Sequence, residues 1–463
     1  QYLLIATSNL TSMMIGDATL PESLVYLDFG GNCITSLEEL HLERLQKLEY
    51  ISLHANFITD FSPMEQCTAT ETWITDQHSP DMMMGWLGDS LRQALNLPPK
   101  AFVSQRMLDN VIGVTVRDGE IEWVFYEEQK NHDAWQRRER EVNNWGKYID
   151  KYSDNGSDPL FLKPNPTDAD LPTMNPDALD LSVLQYFRHL HYFQLRNQQA
   201  EGTWVLAKLP IHWLILSNCG LTDADMPYIT AINVDDGNRY NELYHLNLGD
   251  NAITSLSGIE RLTTLNVLLV QRNNISDLSP LSDLTRLHLL NISWNPGITS
   301  IEPLAQGMRE ALVNLDMAGL AVDLTPVGGM ENLDHVRLGD DWNGHRISLD
   351  LAPLSGLTHL KYLHIFGAKL ANVEAISSMS GLICIDLPNC GLTSAKLTAL
   401  NGHPLTTGIV LERNFLRTLD GLDLSTLPQL KEISLGGNTI RDFSMFDGTA
   451  ITVYGQDWQN VTY

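Results

Sequence analysis

Residues 243–256, Leu-Tyr-His-Leu-Asn-Leu-Gly-Asp-Asn-Ala-Ile-Thr-Ser-Leu, are followed at 265–278 by Leu-Asn-Val-Leu-Leu-Val-Gln-Arg-Asn-Asn-Ile-Ser-Asp-Leu. Leu243, Leu246, Leu248, Asn251, Ile253 and Leu256 of the first copy become Leu265, Leu268, Val270, Asn273, Ile275 and Leu278 of the second. The underlying text, Leu-x-x-Leu-x-Leu-x-x-Asn-x-Ile/Leu, returns about every 22 to 25 residues along the chain. A period of this length means that each copy is one supersecondary unit, and that no unit buries its apolar face without neighbours.

Each copy begins as a short strand whose Leu-x-Leu residues point to one side. The Asn turns the chain out of the strand, with an amide that both donates and accepts hydrogen bonds. The next apolar pair returns across the core through a 3-10 or helical segment. In Asp277-Leu278-Ser279-Pro280-Leu281, Ser279 reads as the cap and Pro280 as the first helical residue. The fold class predicted is therefore α/β: a leucine-rich-repeat solenoid with a curved parallel sheet on its concave face. Short helices or 3-10 turns are expected on the convex face, and a helical cap at the amino end.

Indexed by the Asn position, the first block of repeats has Ser8, Asn32 and Asn56, spaced 24 apart. The second has Gly119, Gln198, Cys219, Asn251, Asn273, Asn295, Leu320, Asp341, Ala368, Cys390, Asn414 and Asn438. Two gaps are long, 79 residues after Gly119 and 32 after Cys219. The five cysteines contain no CxxC pair. Cys219 and Cys390 stand where Asn is expected, so buried free thiols acting as small hydrophobes are predicted.

Both ends of an array must be covered. At 79–110, Trp86, Leu87, Leu91, Ala94 and Leu95 share one helical face, Pro98 and Pro99 end that helix, and Ser104 caps a second one holding Met107 and Leu108. Residues 58–77 (ITDFSPMEQCTATETWITDQ) parallel 440–459 (IRDFSMFDGTAITVYGQDWQ). Both read as terminal half-repeats. This divides the chain into 1–77, the end of one array, and 78–463, a second array. The second has a cap at 78–112, an insertion at 127–181 and main repeats at 182–463. The competing division is one array with an insertion from about 65 to 180. Within the insertion, 131–152 is a charged helical stretch, and 153–180, rich in Asp, Asn and Pro, is expected to be irregular.

The 22-residue text LTTLNVLLVQRNNISDLSPLSD is similar to the repeats of the internalin family of bacterial surface proteins. The segment 79–110 resembles that family's helical cap, with its Pro-Asp start and Arg-x-Ala-Leu. The ending ITVYGQDWQNVTY resembles the close of the family's repeats. The resemblance covers roughly 79–125 and 182–463, with the short block 1–77. It implies attachment to a protein or glycan on another cell surface, without catalysis. Several repeats lack the Asn, and the 127–181 insertion departs from the pattern.

The charge balance is 57 acidic residues against 30 Lys and Arg, a net −27. Nucleic acid and anionic lipid surfaces both need clustered cations, so neither is a partner. No apolar run approaches the roughly 18 residues of a membrane helix. The chain starts on Gln1, so export signal and anchor are expected to lie outside it, with an extracellular or cell-surface location.

In strands of this geometry, residues flanking the two leucines face the concave side. Two groups there carry aromatic, His and Arg side chains, the residue types of binding hot spots. One is Tyr192, Trp213 and His245 with Arg196 nearby; the other is His335, Arg337, Tyr362, His364 and Phe366. The alternative is that these side chains stack on one another. His335 stands in a different column from His364 and Asp386, and the three have no fixed ligand spacing, so no metal is assigned. Asp154–Asp158 lacks the ligand spacing of a calcium loop. Neither a phosphate loop nor a Gly-x-Ser-x-Gly elbow occurs, and no cofactor is implied. The function expected is non-catalytic recognition or adhesion through the concave face. The alternative is an intracellular leucine-rich-repeat scaffold that regulates a partner enzyme.

Overall fold

The computed structural model describes residues 1–74 except 9, 17, 18 and 59; 86–96; 103; 105–126 except 118; 174–232; 243–339; and 346–459. The chain divides into two compact units. The first holds the amino-terminal residues with Asp177–Gln194 and Ala200–Ile211; the second includes Leu195–Gln199 and His212–Tyr463.

In the first unit, strands β1 (Tyr2–Leu4), β2 (Tyr26–Asp28), β3 (Tyr50–Ser52) and β4 (Glu71–Trp73) form a four-stranded parallel sheet. Its register pairs Tyr2, Tyr26, Tyr50 and Glu71 in one row. Beneath it lies a separate apolar core that includes Leu27, Phe29, Ile34, Ile51 and Leu53. Farther along the chain, β5 (Val111–Arg117) and β6 (Glu120–Phe125) form an antiparallel hairpin.

The hairpin corrects one sequence expectation. Gly119, indexed as a repeat position, is instead its turn residue, with φ of 83°. A reversal this tight needs a left-handed residue, which glycine adopts without a steric penalty. Two short helices occur in the segment expected to form a cap, Gly88–Ala94 and Gln105–Asp109. The buried face of the first is Leu87, Gly88, Leu91 and Arg92, while Ala94 is exposed. Trp123 of β6 donates to Ser90 Oγ at 2.9 Å and so fastens the hairpin to this helix. Pro98, Pro99 and Ser104 lie outside the described residues.

Strands β7 (Asn175–Asp180), β8 (Tyr192–Arg196) and β9 (Gln198–Glu201) lie where the chain passes between the units. β7, which pairs with β9, corrects the expectation that the chain is irregular up to 180, because ladder hydrogen bonds to β9 order a segment whose composition reads as loop. In the second unit follow β10 (Trp213–Ser217), β11 (His245–Asn247), β12 (Val267–Leu269), β13 (Leu289–Asn291), β14 (Asn314–Asp316), β15 (His335–Gly339), β16 (Ser348–Asp350), β17 (Tyr362–Phe366), β18 (Lys369–Ala371), β19 (Cys384–Asp386), β20 (Gly408–Val410), β21 (Glu432–Ser434) and β22 (Thr452–Tyr454). All but β16 and β18 join one sheet in chain order, every pair parallel and without slippage. Strands β16 and β18 pair only with each other. The structure is thus the stacked parallel solenoid that the repeat predicts.

The leucines supply the driving force. Leu246, Leu248, Ile253, Leu265, Leu268, Val270 and Ile275 are fully inaccessible to water. Each such side chain contributes on the order of 1.5–3 kcal/mol by burial. Because consecutive repeats share these contacts, the stability belongs to the stack and not to any one turn.

The Asn positions make a hydrogen-bonded ladder down one edge of that core. Asn273 donates to Leu248 O (2.9 Å) and Val270 O (3.1 Å) and accepts from Ile253 N (3.0 Å). Asn295 repeats this with Val270 O, Ile292 O and Ile275 N. Asn32, Asn56, Asn251, Asn414 and Asn438 do the same. Each amide therefore ties its own strand end to the preceding repeat. Where cysteine replaces Asn, the thiol keeps the donor half of the pattern: Cys219 Sγ reaches Leu195 O at 3.3 Å and Cys390 Sγ reaches Ile365 O at 2.9 Å. Both are buried, and burial pushes both thiols up to about 12, so they stay protonated and can donate. Gln459 ends the ladder, accepting from Ile440 N (3.1 Å) and donating to Leu435 O (2.9 Å).

A second regularity was not legible in the leucine pattern. The residue just before the Asn position is left-handed in repeat after repeat: Ala55, Asn218, Asp250, Arg272, Trp294, Asn389 and Arg413 all have φ between 51° and 60°. Glycine fills the same place at Gly319, Gly367 and Gly437. This conformation turns the chain off the strand and aims the next side chain back under the sheet.

The return segments are mostly 3-10 helices, such as Ser279–Leu281, Ala352–Gly356, Ser394–Leu400 and Ser444–Phe446. Their caps differ from the expectation. Asp277, not Ser279, caps the return, its carboxylate accepting from Ser279 N at 2.8 Å. The same Asp-to-N(i+2) bond recurs at Asp60, Asp323, Asp350, Asp423 and Asp442. Donation from backbone and hydroxyl groups holds the Asp60, Asp277, Asp323 and Asp442 carboxyls below their ordinary value.

Candidate recognition face

The parallel register stacks the residues facing away from the core into columns. One column in the second unit runs Trp213, His245, Val267, Leu289, Asn314, His335, Tyr362, Cys384, Gly408, Glu432 and Thr452. Beside it run Ile215, Asn247, Leu269, Asn291, Asp316, Arg337, His364, Asp386, Val410, Ser434 and Tyr454. Strand spacing is about 4.8 Å, so planar side chains in one column stack.

Stacking is what the predicted residues do. The Trp213 and His245 rings lie 3.8 Å apart and nearly parallel, at 6°. His335 and Tyr362 stack at 4.3 Å and 15°. Trp213, His245, Arg337 and His364 are more than nine-tenths buried, which corrects the expectation that both groups stand exposed. Arg337 is held by Asp316 at 3.5 Å, and His364 Nδ1 meets Asp386 Oδ2 at 2.5 Å. Tyr192 is half-buried, belongs to the first unit, and donates its hydroxyl to Gln194 at 2.6 Å. Arg196 is half-buried in the second unit.

Burial shapes the chemistry of the histidines. Desolvation, helped by the Arg196 charge, pushes His245 down to about 3. Desolvation likewise lowers His335 to about 4, with the Asp334 and Lys361 charges opposing one another. Both rings are neutral at physiological pH, so they serve as flat apolar surfaces rather than cations. Among the described residues, no group of three His, Cys, Asp or Glu is placed to hold a metal.

One hollow among the described residues lies toward the carboxyl end of this face. A cavity of about 540 Å³ is lined by residues from β17, β19, β20, β21 and β22. Tyr362, His364 and Phe366 of the predicted group line it; His335 backs it by stacking on Tyr362. Asp386, Gly408, Glu412, Arg413, Glu432, Ser434 and Tyr454 also line it and were not singled out as site residues from the sequence. The columns could have indicated them: Tyr362 is followed by Cys384 and Gly408, a drop in side-chain size that opens a hollow. Five of the eight predicted residues, Tyr192, Trp213, His245, His335 and Arg337, are not among its walls.

No protein-family description matches the chain, and no curated protein matches it. Among solved structures it is similar to an internalin (InlF) from Listeria monocytogenes, with 19% identity and a TM-score of 0.46, covering 91% of this chain and 88% of that one. It is also similar to internalin C2 from Listeria monocytogenes, with 24% identity and a TM-score of 0.33, over 50% of this chain and 82% of that chain. A leucine-rich-repeat protein of Leptospira interrogans matches at 14% identity and a TM-score of 0.44, over 97% of this chain and all of that one.

The first unit carries its own aromatic row on the same side of its sheet. Tyr26 and Tyr50 stack at 4.3 Å and 6°, Tyr2 lies 5.7 Å from Tyr26, and His54 stacks on Trp73 at 3.7 Å. The sequence signal was the 24-residue spacing of Tyr2, Tyr26 and Tyr50, which the leucine-based reading passed over. No helix among the described residues is long and apolar enough to cross a membrane.

Proposed function

We propose that the chain is a non-catalytic recognition protein that binds a protein or glycan partner through the open face of its second unit. One observation carries this reading: the hollow at Tyr362, Phe366 and Tyr454, of a volume typical of ligand sites, on a sheet face that the core does not use. Aromatic walls around a hollow are what binding hot spots require. His335, stacked on Tyr362, and His364, paired with Asp386, brace its walls. The bacterial, exported or surface-attached setting rests on the sequence likeness of 79–110 and the 22-residue repeats to internalins.

The test is a screen against arrayed cell-surface proteins and glycans with the wild-type chain and a Tyr362→Ala/Phe366→Ala variant. Both side chains are half-buried and outside the leucine core, so the melting temperature is expected to fall little. Capture is expected to weaken by about tenfold or more. Undiminished capture by a folded double variant would remove this hollow as the contact surface.

A further inference from the structure

Resting on the reading of the open face as the recognition surface, we propose that this hollow takes a cationic side chain, lysine or arginine, from the partner protein. Its floor is at Gly408. A Cβ placed there would stand 3.5 Å from Glu432 Oε1 and 3.9 Å from Cys384 Sγ, so both groups border the space that glycine leaves. In the next column Asp386 is 96% buried by its 4% exposure, and it lines the hollow. His364 occupies its Oδ2; its Oδ1 has no hydrogen-bond partner among the described residues. A buried carboxylate without a full set of donors is costly, and an ammonium or guanidinium held over Gly408 offsets its charge from the hollow.

The remaining charges leave that role open. Glu412 accepts from Ser434 Oγ, and the guanidinium of Arg413 lies over the Trp458 ring at 5.4 Å. Glu432 is exposed and lines the hollow. Tyr362, Phe366 and Tyr454 present ring surfaces that suit a cation as well as its aliphatic stem. The negative field is felt at the floor: after burial, the Asp386 and Glu432 carboxylates are what push the Cys384 thiol up to about 12. The whole chain carries −27, which repels anionic segments and draws basic ones.

The experiment is saturation-transfer NMR titration of the whole chain with peptides Gly-Gly-Ser-X-Ser-Gly-Gly, where X is arginine, lysine, citrulline or norleucine. The arginine and lysine peptides are expected to bind about tenfold tighter than the neutral pair, with the preference shrinking as salt is raised. Glu432→Gln should weaken the cationic peptides several-fold, and Gly408→Val should block all of them by filling the floor. Glu432→Lys, at an exposed position, provides a second folded variant and should abolish the preference for cations. Equal binding of citrulline and norleucine, or no saturable binding by any peptide, overturns the inference. Equal binding that Gly408→Val still blocks leaves the recognition surface standing and removes only the charge preference. Cationic binding that survives Gly408→Val and Glu432→Gln lies elsewhere and counts against both.

Discussion

Asn295 shows how one side chain specifies a repeat. It satisfies two carbonyls and one amide that the strand end would otherwise bury without partners. Asn295→Ala is expected to cost about 3 kcal/mol or more, since each stranded buried group costs about 1–3 kcal/mol. Asn295→Cys should cost less, because the thiol retains the donor half, as at Cys390; urea unfolding of the two variants measures the difference. Ala55 has φ of 51°, so Ala55→Gly should stabilise the first unit by about 0.5–1 kcal/mol by removing left-handed strain, read as a higher unfolding midpoint. The Asn positions were legible because the amide is the one side chain that both donates and accepts there. The left-handed residue before it was not, because Ala, Arg, Trp, Asp, Asn and Gly all occupy it and share no chemistry. The Asp caps were missed because Ser279 has the look of a capping residue, and the carboxylate two positions earlier takes the role.

At the scale of strands and columns, Tyr362, His364 and Phe366 line the hollow on the face that strand alternation alone assigns to them. Exposure was misjudged from the sequence. A side chain on a sheet face is covered by its neighbours in the adjacent strands, and whether it stacks or stands free depends on what the next repeat contributes. Trp213 is covered because the aligned residue is His245; Tyr362 borders a hollow because the next aligned residues are Cys384 and Gly408. The buried histidines have a measurable consequence. His245 and His335 are held neutral in the folded chain, with values of about 3 and about 4, while an unfolded histidine titrates near 6.5. The unfolded state therefore binds more protons below about pH 6.5, and stability is full above that pH and falls as pH is lowered toward the folded values. The decrease between pH 7.5 and 5 should reach up to about 2 kcal/mol per histidine. His245→Leu should shrink it by one histidine's share, measured by urea unfolding at the two pH values. The Asp caps share the sign but act lower, below about pH 4, where unfolded carboxylates take up protons.

For the whole molecule, the solenoid was legible because its period is written in every copy. The hairpin at β5 and β6 was not, since Val111–Arg117 reads equally as a repeat strand and only the turn at Gly119 separates the two. We propose that 1–77 and 78–463 are the end of one array and a second array; a chain beginning at 78 should then keep the melting transition of the second unit, followed by circular dichroism. The net charge of −27 makes the long stack self-repelling, so added salt should raise its melting temperature. The most direct measurement of the central claim is the affinity of an array-identified partner for the wild-type chain and for the Tyr362→Ala/Phe366→Ala variant, with the melting curve of each recorded alongside. The expected result is at least about a tenfold loss of affinity on an unchanged melting curve. Equal affinity on an unchanged melting curve would contradict the claim that this open face does the binding.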